Sequence, residues 1–144
     1  MDDSATNRVN SHERLFIQEF VIPERRGRWL EALGSTKRRR SFLTRLADSR
    51  DFVFEYMHPI SPNRHQVGSI VAILQNLGAP NDCHAISQIA EVDGLDLALN
   101  ECLEIVIGAG LGSVLSCLPG QLAYYEEETP GKRFILSSKL LKEF

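Results

Sequence analysis

The stretch SVLSCLPGQLAYYE, residues 113–126, decides the fold. Two apolar runs, 113–118 and 121–126, flank Pro119-Gly120, a dipeptide that reverses the chain, and so read as paired antiparallel strands. A second Pro-Gly, at 130 and 131, precedes Arg133 to Ser137, which makes the third strand of a meander. Tyr124 and Tyr125 fall on opposite faces of their strand, which sends one of them to a core.

Working outward, Cys83 to Ile89 reads as a strand with Cys83, Ala85, Ser87 and Ile89 on one side. The turn Asp93-Gly94 leads to a helix carrying Leu99, Cys102, Leu103 and Val106, which ends at Gly108. This strand–helix–strand order fits a parallel crossover. Val67, Ile70, Val71, Leu74 and Leu77 form the buried stripe of the clearest helix, stopped by Gly78-Ala79-Pro80. Residues 51–63, with three aromatics and two prolines, read as an irregular connection.

The N-terminal half is helical in pattern. Asn10 with Glu13 three residues on resembles a cap, and Leu15, Phe16, Phe20 and Val21 make a helical stripe, with a strand as the competing reading. Pro23 suits the first turn of a second helix, with Arg26, Trp29, Leu30 and Leu33 on one side and Gly34 as its end. Ser35 caps a third, whose stripe is Phe42, Leu43, Leu46 and Ala47. The expected fold is therefore α+β (mixed α/β). A helical N-terminal half precedes a β-α-β-β-β unit, which forms a small mixed sheet covered by helices. Residues 1–9 are expected to be a flexible tail and 10–144 one globular domain.

Composition narrows the function classes. A chain of 144 residues that is 43% hydrophobic and 24% charged has enough apolar surface for its own core, which argues against a disordered chain. No apolar run approaches the roughly 20 residues that cross a bilayer, so no membrane partner is expected. The polar start MDDSATNRVN does not read as a secretory or transit signal. Three cysteines without a CxxC pair favour reduced thiols and a cytoplasmic setting.

Charge is unevenly spread. Between Arg25 and Arg50 nine Lys or Arg face two acids, a local net of +7, whereas the remainder carries −10. Lys37, Arg38, Arg39 and Arg40 are the candidate anion- or partner-binding residues. Four cations crowd a helical first turn where the dipole favours anions, and Arg39 aims toward the buried side, where it needs an acid or a bound anion. The plainer reading is an exposed basic face or pairing with internal acids.

Other motifs point less far. Gly108-Ala-Gly-Leu-Gly112 follows a helix and precedes a strand, the reverse of a phosphate loop, and no Lys follows until Lys132. It reads as a helix cap and turn. Asp82-Cys83-His84 sets a thiol beside an imidazole, yet strand neighbours face opposite ways, so Cys83 and His84 do not readily serve each other. Cysteines and histidines lack zinc spacing, so no metal or other cofactor is expected. Asp93 and Asp96 fit turn chemistry, and Glu126-Glu127-Glu128 fits a solvated hairpin end.

No catalytic constellation stands out, and the leading expectation is a non-enzymatic domain acting through protein–protein contact with a protein partner or a second copy of itself. Nucleic-acid or anionic-ligand binding by segment 25–50 is the alternative, disfavoured by overall acidity. An enzyme with a cleft beside the sheet, using His84, Ser116 or Cys117, is the third.

Overall fold

The computed structural model describes residues 9–139 and 141–144. Three short helices open the chain. Helix α1 spans Ser11–Phe20, its first turn capped by the Asn10 side chain, which accepts from the His12 N–H at 2.7 Å. Helix α2, Pro23–Leu33, begins at a proline, whose missing N–H costs nothing at that position. Helix α3, Thr36–Phe42, is capped by Ser35, whose hydroxyl accepts from Arg38 N–H, and it tightens into a 3₁₀ turn over Leu43–Ala47. Helix α4 is Val67–Asn76 and α5 is Leu99–Val106.

Six strands form one sheet: β1 Met57–Pro59, β2 Asp82–Ser87, β3 Asp96–Ala98, β4 Ser113–Leu118, β5 Leu122–Glu126 and β6 Arg133–Leu136. Their order is β1-β6-β5-β4-β2-β3, and every neighbouring pair is antiparallel. The fold is α+β with its first helices N-terminal, and the β4-β5-β6 meander matches the Pro-Gly spacing.

The expected parallel crossover between β2 and β4 is replaced by antiparallel pairing, so the sheet is not mixed. The cause is β3, three residues that the pattern reading had folded into the turn before α5. It pairs antiparallel with β2, so α5 starts from the opposite end of the sheet and returns the chain antiparallel to β2. The crossover thus runs β3–α5–β4, with β2 inserted between its two strands. Within the connection 51–63, β1 pairs with β6 as another three-residue edge, ending at Pro59. Short edges and an edge proline leave little backbone open to further pairing.

Both faces of the sheet are covered. On one face α1, α2 and the 43–47 turn bury Phe16, Ile17, Trp29, Leu43 and Leu46 against Ile86, Val114, Tyr125 and Leu136. On the other, α4 and α5 bury Ile70, Leu74, Cys102 and Leu103 against Ala85, Leu115, Tyr124 and Ile135. Each large apolar side chain so buried contributes about 1.5–3 kcal/mol. Tyr124 and Tyr125 are therefore both core residues, one per face.

The buried positions of α1 are Glu13, Phe16, Ile17 and Phe20, so its inward stripe contains a carboxylate and excludes Leu15. Val9, assigned to the tail by its sequence, is buried; the rest of that tail lies outside the described residues. Among the described residues, no helix is long and apolar enough to cross a membrane.

Candidate functional site

The sheet register places the chemistry. On β2, His84 pairs with Asp96 of β3 on one side and Ser116 of β4 on the other, so these three lie side by side across three strands. Even-numbered residues of β2 face α1, and the α1 cap turns His12 and Glu13 down onto this rung.

Glu13 sits at the centre, 2% exposed. Its carboxylate accepts from Arg39 Nη1 and Nη2, each at 2.8 Å, and from His84 Nε2 at 2.7 Å. Burial opposes its charge, but hydrogen bonds from His84 and Arg39 outweigh that cost and hold the carboxyl below its usual range. His84 is enclosed the same way, with Nδ1 2.6 Å from Asp96 Oδ1. Desolvation disfavours its charge, yet the two flanking carboxylates prevail, and its pKa lies above the ordinary 6.5. The His84 ring is a buried imidazolium with an acid on each nitrogen.

Arg39 spends every donor it has. Nε and Nη2 reach the two oxygens of Asp93 at 2.8 and 2.9 Å, Nη1 and Nη2 grip Glu13, and Nη1 also reaches the Leu33 carbonyl at 3.3 Å. A guanidinium has five N–H groups, and these are five bonds. Asp93 Oδ1 additionally accepts the Ser87 N–H at 3.0 Å, tying the turn after β2 to α3.

Above this layer His12 stacks on His84, centroids 5.5 Å apart and planes 12° from parallel, with His12 Nδ1 2.8 Å from Ser116 Oγ. Burial, then the charge of His84 beneath it, lowers the His12 pKa, so its imidazole is neutral at neutral pH. The His12 edge opens on a cleft of about 270 Å³ that Pro80, Asp82, Cys83, Asp96 and Cys117 also line. The Asp82 side is exposed, and the Asp96 side chain is 70% exposed. Neither thiol of the cleft is ionised: a hydrogen bond to Cys102 and burial push Cys83 up, and burial pushes Cys117 up to about 12. Ser116, 1% exposed, lies beneath His12 and is absent from the cleft wall.

The four candidate cations separate. Arg39 is the buried clamp just described. Arg38 pairs with Glu31 at 2.7 Å on the surface, Arg40 donates to the carbonyls of Ser87 and Gln88, and Lys37 is exposed. Elsewhere in the basic segment Arg45 grips Asp51 at 2.7 and 2.9 Å, Trp29 Nε1 donates to the same carboxylate at 2.9 Å, and Arg50 pairs with Asp48.

The glycine stretch after α5 turns through positive φ at Gly108 and Gly110. The Gly108 N–H donates at 2.9 Å to Glu126, which is 3% exposed, accepts from Tyr124 Oη at 2.6 Å and pairs with Arg133 at 3.2 Å. Glu126 is thus a buried partner rather than part of a solvated hairpin end, because α5 closes over β5. Among the described residues no group of three or more His, Cys, Asp or Glu is placed to hold a metal ion.

Sequence reasoning did not single out His12, Glu13, Asp93 and Asp96 as members of one site. One signal was legible: Glu13 shares offsets of 3, 4 and 7 with Phe16, Ile17 and Phe20, which puts an acid on an apolar stripe and demands a buried cation. No family model, curated protein or solved structure matches the chain.

Proposed function

We propose that this chain is a recognition domain that works without covalent chemistry, by contact with a protein partner that presents a cationic side chain to the cleft beside His84 and Asp96. The carrying observation is that Asp82 and Asp96 open onto this cleft while the guanidinium groups best placed to attract an anion are spent inside the fold. Protonated thiols and a covered Ser116 leave the cleft without an activated nucleophile. His84 and Arg39 hold Asp96 and Asp93 in place from below, so the rim is set before a partner arrives.

Calorimetric titration with a Lys- and Arg-rich peptide and, separately, with heparin tests this reading. Peptide binding should weaken with added salt and fall about two- to five-fold on Asp82→Asn. Heparin binding that is lost on Arg38→Ala with Arg40→Ala would overturn it in favour of an anionic partner.

The Ser116–His12 contact of 2.8 Å supports a second reading, proton transfer by the neutral His12 imidazole to a substrate in the cleft. Ester hydrolysis abolished by both His12→Gln and Ser116→Ala would select it over recognition.

A further inference from the structure

The β2–β4 ladder has a consequence on its other face. Its register pairs His84 with Ser116, Ala85 with Leu115, Ile86 with Val114 and Ser87 with Ser113. One rung further, still inside both strands, Cys83 stands opposite Cys117.

The type of rung matters. Gln88 N–H donates to the Gly112 carbonyl at 3.0 Å, which makes that pair hydrogen-bonded, whereas Ala85 N–H turns away to the Leu95 carbonyl on the β3 side. Rungs alternate, so 87/113, 85/115 and 83/117 are the non-hydrogen-bonded kind, with Cα atoms about 4.5 Å apart and side chains closest. The Ser87 rung shows the result directly: its Oγ lies 2.7 Å from Ser113 Oγ. Cys83 and Cys117 share the face of Ser87 and Ser113, and both pack in the same core. A Cα separation of that size falls inside the range that a disulfide spans.

We propose that Cys83 and Cys117 are a reversible cross-strand dithiol, oxidised to a disulfide by a small hydroperoxide that enters the cleft. Both side chains line it, whereas Cys102, fully buried on α5, does not. In the first step the sulfur of Cys117 attacks the peroxide; the O–O bond breaks, an alcohol or water departs and a sulfenic acid forms. The sulfur of Cys83 then attacks the sulfenic sulfur, the S–O bond breaks, water leaves and the S–S bond forms. Two thiols lose two electrons in total and the peroxide gains them. Burial of both thiols makes the reaction slow, because only the thiolate attacks. The inference stands on strand register and does not depend on the recognition reading.

Peptide mapping of the full chain tests it. The native protein is treated with excess hydrogen peroxide, alkylated, and digested without reductant. The expected result is a linked peptide pair joining Cys83 to Cys117, loss of two of the three free thiols, and recovery of both with dithiothreitol. Cys102→Ala should leave the link in place. A Cys83–Cys102 link, links only between chains, or three thiols still open to alkylation would overturn the proposal. Because mapping is done on the unaltered chain, a substitution that fails to fold does not decide the outcome.

Discussion

Arg39 is the residue on which the most polar structure converges. Replacing it with Met would leave the buried carboxylates of Glu13 and Asp93 without their cation, a change that costs about 3–5 kcal/mol in other buried pairs. A matching drop in the urea midpoint at constant slope is the expected result, and Arg39→Lys should recover little of it, since an ammonium cannot grip two carboxylates side-on. The stacked histidines make stability depend on pH in opposing directions. His84 is held above 6.5, so its contribution is complete below pH 6.5 and is lost as pH rises through its folded value. His12 is held below 6.5, so its contribution is complete above pH 6.5 and is lost as pH falls through its folded value. Glu13, held below 4.5, adds a further loss in stronger acid. Stability should therefore peak near pH 6.5. Denaturation midpoints across pH 5 to 8 would check this, with His12→Gln flattening the acid side of the peak and His84→Gln the alkaline side.

At the scale of elements, one close approach fixes how the 3₁₀ turn after α3 meets the sheet. A Cβ on Gly112, just before β4, would lie 2.2 Å from the Leu46 carbonyl oxygen. Backbone cannot yield as a side-chain tip does, so Gly112→Ala should cost about 3 kcal/mol, at the upper end of ordinary overpacking. Nothing lies within 4 Å of a Cβ on Gly110, and Gly110→Ala should cost only the positive-φ penalty of about 1–2 kcal/mol. Thermal denaturation of the two variants would rank them. Helix starts were legible at this scale because Asn10, Pro23 and Ser35 act locally, each on its own first turn. Strands β1 and β3 were not, because three residues carry no period and exist only through the neighbour that pairs with them.

For the molecule as a whole, the sheet is a wall common to two cores, and neither helical layer has an apolar partner other than that wall. Loss of either layer would expose the opposite side of the same strands, so both should unfold together. Trp29, the sole tryptophan, is buried in the layer of α1 and α2 and reports on that side. Its fluorescence transition should coincide with the far-ultraviolet dichroism transition, which reports on all helices; separation of the two would show independent layers. Charge follows the same logic. The segment that carries +7 along the chain is matched in space by carboxylates brought from elsewhere: Glu13 and Asp93 to Arg39, Asp51 to Arg45.

From the linear chain alone came the α+β class, the five helices, the β4-β5-β6 meander and the recognition that Arg39 on a buried side requires an anion. These rest on interactions that span a few residues, where periodicity, caps and Pro-Gly turns act. Tertiary structure alone decided the direction of β2 against β4, the identity of the acids on Arg39 and the meeting of His12 with His84 and Ser116. Those partners lie 26, 54, 72 and 104 positions apart. Bringing them together depends on which strands pair and in what register, and that is settled by burying both faces of the sheet at once.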